Sequence, residues 1–153
     1  MKYVKDDKRE QIKLEKRLRQ LQKSPHVAVG ILQDEPVANS FSMVDLATVH
    51  EFGSADGCIP QRSFFRSTLQ SQKQKHLRLI TQLQNLYIVG KLSLKQALTQ
   101  LGETVRGDIV ETISHGVDPK LASSKVKRKK SSQTLIDTGR LKGSITHQVR
   151  GPQ

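Results

Sequence analysis

The residues with the most chemical potential in this chain are five histidines, a single cysteine and an Asp-Thr-Gly triplet. A zinc hydrolase of the HExxH type places two histidines four apart on one helix face, with the glutamate as base. His50-Glu51 begins that pattern, but the residue four positions beyond His50 is Ser54. His26, His76, His115 and His147 form no Cys/His or His/His pair at a ligand spacing. His50 therefore reads as a packing or capping residue. Cys58 would need a base and an orienting group to act as a nucleophile, and no sequence pattern supplies them. Asp137-Thr138-Gly139 carries the DTG of aspartic proteases, whose chemistry needs two aspartates sharing one site. Its flanks here suit a helix cap. Gly102 and Gly107 lie inside a helical pattern, away from the spacing of a phosphate-binding loop. With no catalytic constellation, metal set or cofactor motif, the chain reads as a binding protein: no enzyme, no cofactor.

The elements that position these residues follow from periodicity. Residues 5–23 read as a charged helix whose apolar stripe is thin: Ile12, Leu14, Leu18 and Leu21. Ser24-Pro25 ends it, because the residue before proline disfavours helical angles. The β-branched run Val27-Ala-Val-Gly-Ile-Leu32 predicts a strand, and residues 33–40 a polar loop. A short helix over 43–52 follows, with Ser42 as cap, Asp45 three residues on, and Gly53 as a left-handed stop.

A long helical stretch runs from Ser63 or Phe64 to about Val89, with Phe64, Phe65, Leu69, Leu77, Ile80, Leu83 and Tyr87 as candidate core. Ser93 and Gln96 open a second long helix carrying Leu94, Ala97, Leu98, Leu101, Val105, Ile109 and Ile113 at helical period. Gly90 and Lys91 lie between the two, which predicts an antiparallel hairpin. Residues 116–134 read as a mobile basic loop, with Lys125, Lys127, Arg128, Lys129 and Lys130 close together. Asp137 and Thr138 then cap a turn through Gly139 to Gly143, and 144–150 alternates as a half-buried strand. The expected class is α+β: an N-terminal charged helix over 1–25, then one domain over 26–153. Its small antiparallel sheet, including 27–32 and 144–150, packs against the helical hairpin.

The chain has 153 residues, room for one modest core. No apolar run is long enough to span a bilayer, so no membrane role is expected. Residues 1–10 are charge-rich, unlike a signal peptide, and a lone cysteine suits a reducing cytoplasm. The formal net charge of +12 is segmented. Residues 1–25 hold nine Lys/Arg against four Asp/Glu, 26–59 none against five, and 60–95 seven against none. Residues 96–115 hold one against three, and 116–153 nine against two. Alternating acidic and basic segments fit a homo-oligomer with complementary patches, or a nucleic-acid binder reaching phosphates. The 125–130 run lacks the interleaved aromatics that single-strand binders stack on bases.

Two stretches carry a resemblance. The first is Leu46-Ala-Thr-Val-His-Glu-Phe-Gly53 followed by Ile59-Pro-Gln-Arg-Ser-Phe-Phe-Arg66. The second runs from Leu121-Ala through Lys127-Arg-Lys to Leu135-Ile-Asp-Thr-Gly-Arg-Leu-Lys-Gly-Ser-Ile145. Together, in this order and with two helices between them, they resemble the phage virion-morphogenesis and tail-completion proteins over residues 27–149. Ser63 stands where that pattern often has proline, and Lys125 where it has threonine. The resemblance implies a virion protein of the neck or tail, assembled in the host cytoplasm and joining head to tail. It also implies a homo-oligomeric ring in contact with other neck and tail proteins, with contact to packaged DNA left open. The alternatives are a tail-terminator ring and a small basic nucleic-acid-binding protein. His50, Glu51, Phe52, Arg62, Phe64, Phe65 and Arg66 are the candidate subunit or partner interface. Arg62 and Arg66 are expected to meet the acidic 26–59 segment of the next copy.

Neighbouring helical residues point about 100° apart, so Phe64 and Phe65 cannot both face one core stripe. Alanine at one should therefore abolish cooperative thermal unfolding, and alanine at the other should abolish assembly while leaving unfolding intact. Equal loss of folding in both would defeat this division.

Overall fold

The computed structural model of the chain describes residues 8–33, 36–38, 41–117 and 139–151. In chain order these form α1 (Lys8–Gln22), β1 (His26–Ile31), β2 (Pro36–Ala38), β3 (Phe41–Ser42), α2 (Met43–Phe52) and α3 (Phe64–Ser71). After these come α4 (Lys73–Ile88), α5 (Leu94–His115), α6 (Arg140–Ser144) and β4 (Ile145–Arg150). The class is α+β, as expected. β1 and β4 pair antiparallel, with Val27 opposite Val149 and Ile31 opposite Ile145. The alternation read in 144–150 is real: Ile145 is buried, His147 and Val149 are half-buried, and the residues between them are exposed.

α5 is the element on which the others converge, touching the β1–β4 sheet, α3, α4 and α6. Its start is the capping box read from sequence: the Gln96 amide donates to Ser93 Oγ and the Ser93 amide to Gln96 Oε1. Gly102 lets the sheet come close, because a Cβ there would lie 2.6 Å from the His147 ring and 2.8 Å from Val27. The core gathers Met43, Ala47, Phe64, Ile109, Ile113, Leu141 and Ile145 from five elements. α1 buries none of its residues and docks on α4 through polar contacts. There the Tyr87 hydroxyl lies 3.0 Å from the Arg17 carbonyl and 2.7 Å from Gln20 Oε1.

Four expectations are corrected. Residues 33–40 are not simply a loop, since β2 and β3 pair there as a small antiparallel hairpin with an irregular register. The long stretch from Phe64 is two helices, broken at Gln72 (φ −93°, ψ 5°). Leu69 and Leu77 are 48 % and 47 % exposed; each lies one residue past a buried polar side chain, Thr68 and His76. Gly53 has the positive φ expected of it (85°) but an extended ψ of 166°, so it is no left-handed cap.

Between buried Phe64 and Leu83, the inner line of α3 and α4 turns polar at Thr68 and His76 because α5 presents Thr112 and Asp108 to them. Thr68 Oγ1 lies 2.7 Å from Thr112 Oγ1, while Lys75 Nζ and His76 Nε2 reach the two Asp108 oxygens at 2.6 and 2.8 Å. Burial pushes the Asp108 carboxyl up, but the hydrogen bonds and charges of Lys75 and His76 outweigh it and hold the group below its ordinary range. A carboxyl depressed in this way stabilises the fold above its unfolded pKa and loses that contribution as pH falls through the folded one. Asp108→Asn should therefore cost about 2–3 kcal/mol in denaturant titrations at neutral pH. The gap to the parent protein should narrow as pH drops below about 4, and a constant gap would refute the ionic account.

Candidate functional site

The residues of the first sequence stretch meet at the junction of α2 and α3. α2 starts on a second capping box, in which the Asp45 amide donates to Ser42 Oγ and the Ser42 amide to Asp45 Oδ2, both at 3.0 Å. Met43, Ala47 and Glu51, spaced four apart, form its buried line. That spacing delivers the Glu51 carboxylate to the start of α3. Past Gly53 the chain turns back on itself, with Ser54 and Ile59 paired at 3.0 Å and the Arg62 amide donating to the His50 carbonyl at 2.7 Å. A Cβ on Gly53 would press on Gln61 N and Ile59 O at 3.2 Å, at a φ that L side chains rarely adopt. Asp56 braces the loop by accepting from Ser54 Oγ and the Cys58 amide, and these bonds, Ser54 first, lower its pKa to about 2.

Glu51 is the centre of the site. Its carboxylate accepts from the backbone amides of Phe65 (3.0 Å) and Arg66 (3.2 Å) and from Arg66 Nε (3.0 Å). The first amides of a helix have no intrahelical partner and usually take a cap from the preceding residue. Ser63 holds that position in α3 but makes no side-chain cap. Its hydroxyl donates instead to the Glu51 carbonyl (3.0 Å) and accepts from Arg66 Nη2 (2.9 Å). The cap of α3 thus comes from another helix, twelve residues earlier than Ser63.

Arg66 also lies over the Phe52 ring, 5.1 Å from its centre, in cation–π geometry. Phe52 itself is 64 % exposed. Phe64 is fully buried, with its ring 4.6 Å from that of the half-buried Phe65. Beside them Val29, Ile31, Val44, Thr48, Phe52 and Phe65 line an open groove of about 300 Å³ between β1 and α2.

Structure and sequence therefore divide the candidate interface. His50, Glu51, Phe52, Arg62, Phe64, Phe65 and Arg66 do come together, but Glu51, Arg62 and Phe64 are buried within the chain. Arg66 meets acidic Glu51 of its own chain, whereas the sequence reading had it meet the next copy. Arg62 precedes the helix, so the two arginines are not paired along one helical face; burial pushes its pKa down. What remains outward is Phe52 and the Arg66 guanidinium, with part of the half-buried His50 and Phe65.

Of the predicted cap and turn, Asp137 and Thr138 lie outside the described residues, as do Lys125, Lys127, Arg128, Lys129 and Lys130. The described residue before α6 is Gly139, at φ 66° and ψ −9°, and it gives the helix no side-chain cap. The Lys75–His76–Asp108 network carries no sequence signal, because Asp108 lies between apolar Val105 and Ile109 in a helix whose period reads as core. No group of three or more His, Cys, Asp or Glu among the described residues is placed to hold a metal ion. No helix among them is long and apolar enough to cross a membrane. In comparisons with known proteins, no family model matches the chain, and no curated protein or solved structure matches it.

The lock makes a graded prediction. Glu51→Ala strands two helix-start amides and a guanidinium, and should cost about 2–3 kcal/mol of unfolding free energy. Arg66→Ala removes a side chain that is 56 % exposed and should cost under about 1 kcal/mol. Chemical denaturation of both variants measures the difference, and a reversed order would show that the ion pair dominates over the cap.

Proposed function

We propose that this chain is a structural virion protein of a tailed bacteriophage. It acts in tail completion or head–tail joining at the neck, as copies arranged around the tail axis, and its work is assembly and not catalysis. The observation that carries this reading is the convergence of the two sequence stretches on one core. Ala47 and Phe64 from the first pack with Leu141 and Ile145 from the second. The described parts of the two stretches that resemble the tail-completion pattern thus meet in one core, which supports reading them together.

That core holds Phe52 outward beneath a guanidinium fixed by three hydrogen bonds, two to Glu51 and one to Ser63. An exposed aromatic packed beside a braced cation combines apolar area with a fixed charge, the composition of an interface anchor. The partners in this reading are further copies of the chain and other neck and tail proteins.

Negative-stain microscopy of particles made without the protein tests the assignment. Separate filled heads and finished tails are expected, overlong tails would shift the role to a tail terminator, and normal infectious particles would overturn any virion role. In the same assay Phe52→Ala should cut joining about thirtyfold or more with an unchanged melting temperature, since interface anchors are worth upwards of about 2 kcal/mol. Full joining by that variant would remove Phe52 from the interface.

A further inference from the structure

At the far end of the helical hairpin from Glu51, the residues around the α4–α5 turn enclose a second surface. α1, the turn and the end of β4 surround an open cleft of about 890 Å³. Arg17, Lys91, Lys95 and Arg150 line it, with His147 beside them, and no Asp or Glu is among its described lining residues. Lys91, Lys95 and Arg150 are exposed.

The cleft is built into the fold. The Arg17 guanidinium donates to the Ile88 carbonyl at 3.0 Å, at the negative end of α4. Gly90 (φ +78°) leaves room for it, since a Cβ there would come within 2.2 Å of Arg17 Nη2. The Tyr87 hydroxyl ties the same turn of α1 through the Arg17 carbonyl and Gln20. Arg150 is oriented by its Nε bond to Gln148 Oε1 at 3.1 Å.

We propose that this cleft binds the phosphate backbone of duplex nucleic acid. Glu103 lies 3.7 Å from His147 Nδ1, but no carboxylate lies among the described residues lining the cleft with Lys91, Lys95 and Arg150, so those cations repel one another. A polyanion relieves that repulsion while releasing its own condensed counterions. Thr99 and Gln148 add neutral hydrogen-bonding groups of the kind that position phosphates. Of the two rings on the wall, Tyr87 is 3 % exposed with its hydroxyl engaged and His147 is half-buried, so no exposed Phe, Tyr or Trp face is offered for base stacking. That favours duplex over single strands. Its described lining residues are other than those of the 125–130 run, and the proposal does not depend on the virion assignment.

Fluorescence anisotropy of a short labelled DNA duplex of mixed sequence, titrated with the full chain over a salt series, tests the proposal. Lys91→Gln/Lys95→Gln/Arg150→Gln should weaken binding at least about tenfold and lower the salt slope by about 2.7, at about 0.9 per phosphate contact. Lys8→Gln/Lys73→Gln/Arg78→Gln makes the same charge change elsewhere and should leave the slope near that of the parent. Arg17 stays intact in both, because it holds α1. Matched melting temperatures exclude misfolding. Equal losses in the two variants would reduce the effect to net charge and overturn the site, as would an unchanged slope in the first. A change only in particle mass by light scattering, with DNA affinity retained, would instead make the cleft a contact for acidic residues of a second copy.

Discussion

A carboxylate withdrawn from water must find donors for its oxygens, and a helix start buried in a protein must find acceptors for its first amides. Glu51 and α3 meet both needs with one contact. Because that carboxylate belongs to the last turn of α2, the crossing of the two helices is set by hydrogen-bond geometry and not by apolar packing alone. Several other features follow from it. Gly53 must turn sharply for the chain to return, Ile59 to Arg62 must run back along α2, and Phe64 must enter the core at the first residue of α3. The core position of Phe64 between Met43, Ala47 and Ile113 is thus downstream of an electrostatic constraint.

The rest of the molecule is arranged around α5, which takes a different neighbour on each face. Toward the sheet it is bare at Gly102, so that His147 and Val27 can approach. Toward α3 and α4 it is polar, with Asp108 and Thr112 in the positions that an amphipathic reading would give to leucine. A polar seam tolerates less sliding than an apolar one, because a shifted hydrogen bond is a lost one. The two faces therefore divide the work: close backbone approach on one side, a fixed register on the other.

Features decided within a few residues were legible in the sequence. Both capping boxes, Ser42 with Asp45 and Ser93 with Gln96, are local patterns and formed as read. So did the strand at 145–150, whose alternation is a property of the segment itself. Features decided by a distant partner were not legible. Nothing near Thr68 or His76 marks them as inner residues; only Thr112 and Asp108, more than thirty positions away, make them so. The pairing of β2 with β3 was hidden by a polar, proline-containing stretch. Glu51 was singled out as part of a motif, but its inward role depends on α3 lacking a cap of its own. Ser63 looks like an ordinary N-cap, and only its engagement with Glu51 and Arg66 shows why it is not one.

The pairing of β1 with β4 has a mechanical consequence. His26 and Arg150 are opposite each other at one end of the ladder, so the segments beyond them leave the sheet side by side. Tension applied through those segments would open the ladder from that end one rung at a time, the weak, zipper-like mode for a pair of strands. Load carried across the helices would bypass the ladder altogether. A fold built this way withstands force through α5 and its packed neighbours far better than through the paired ends of β1 and β4.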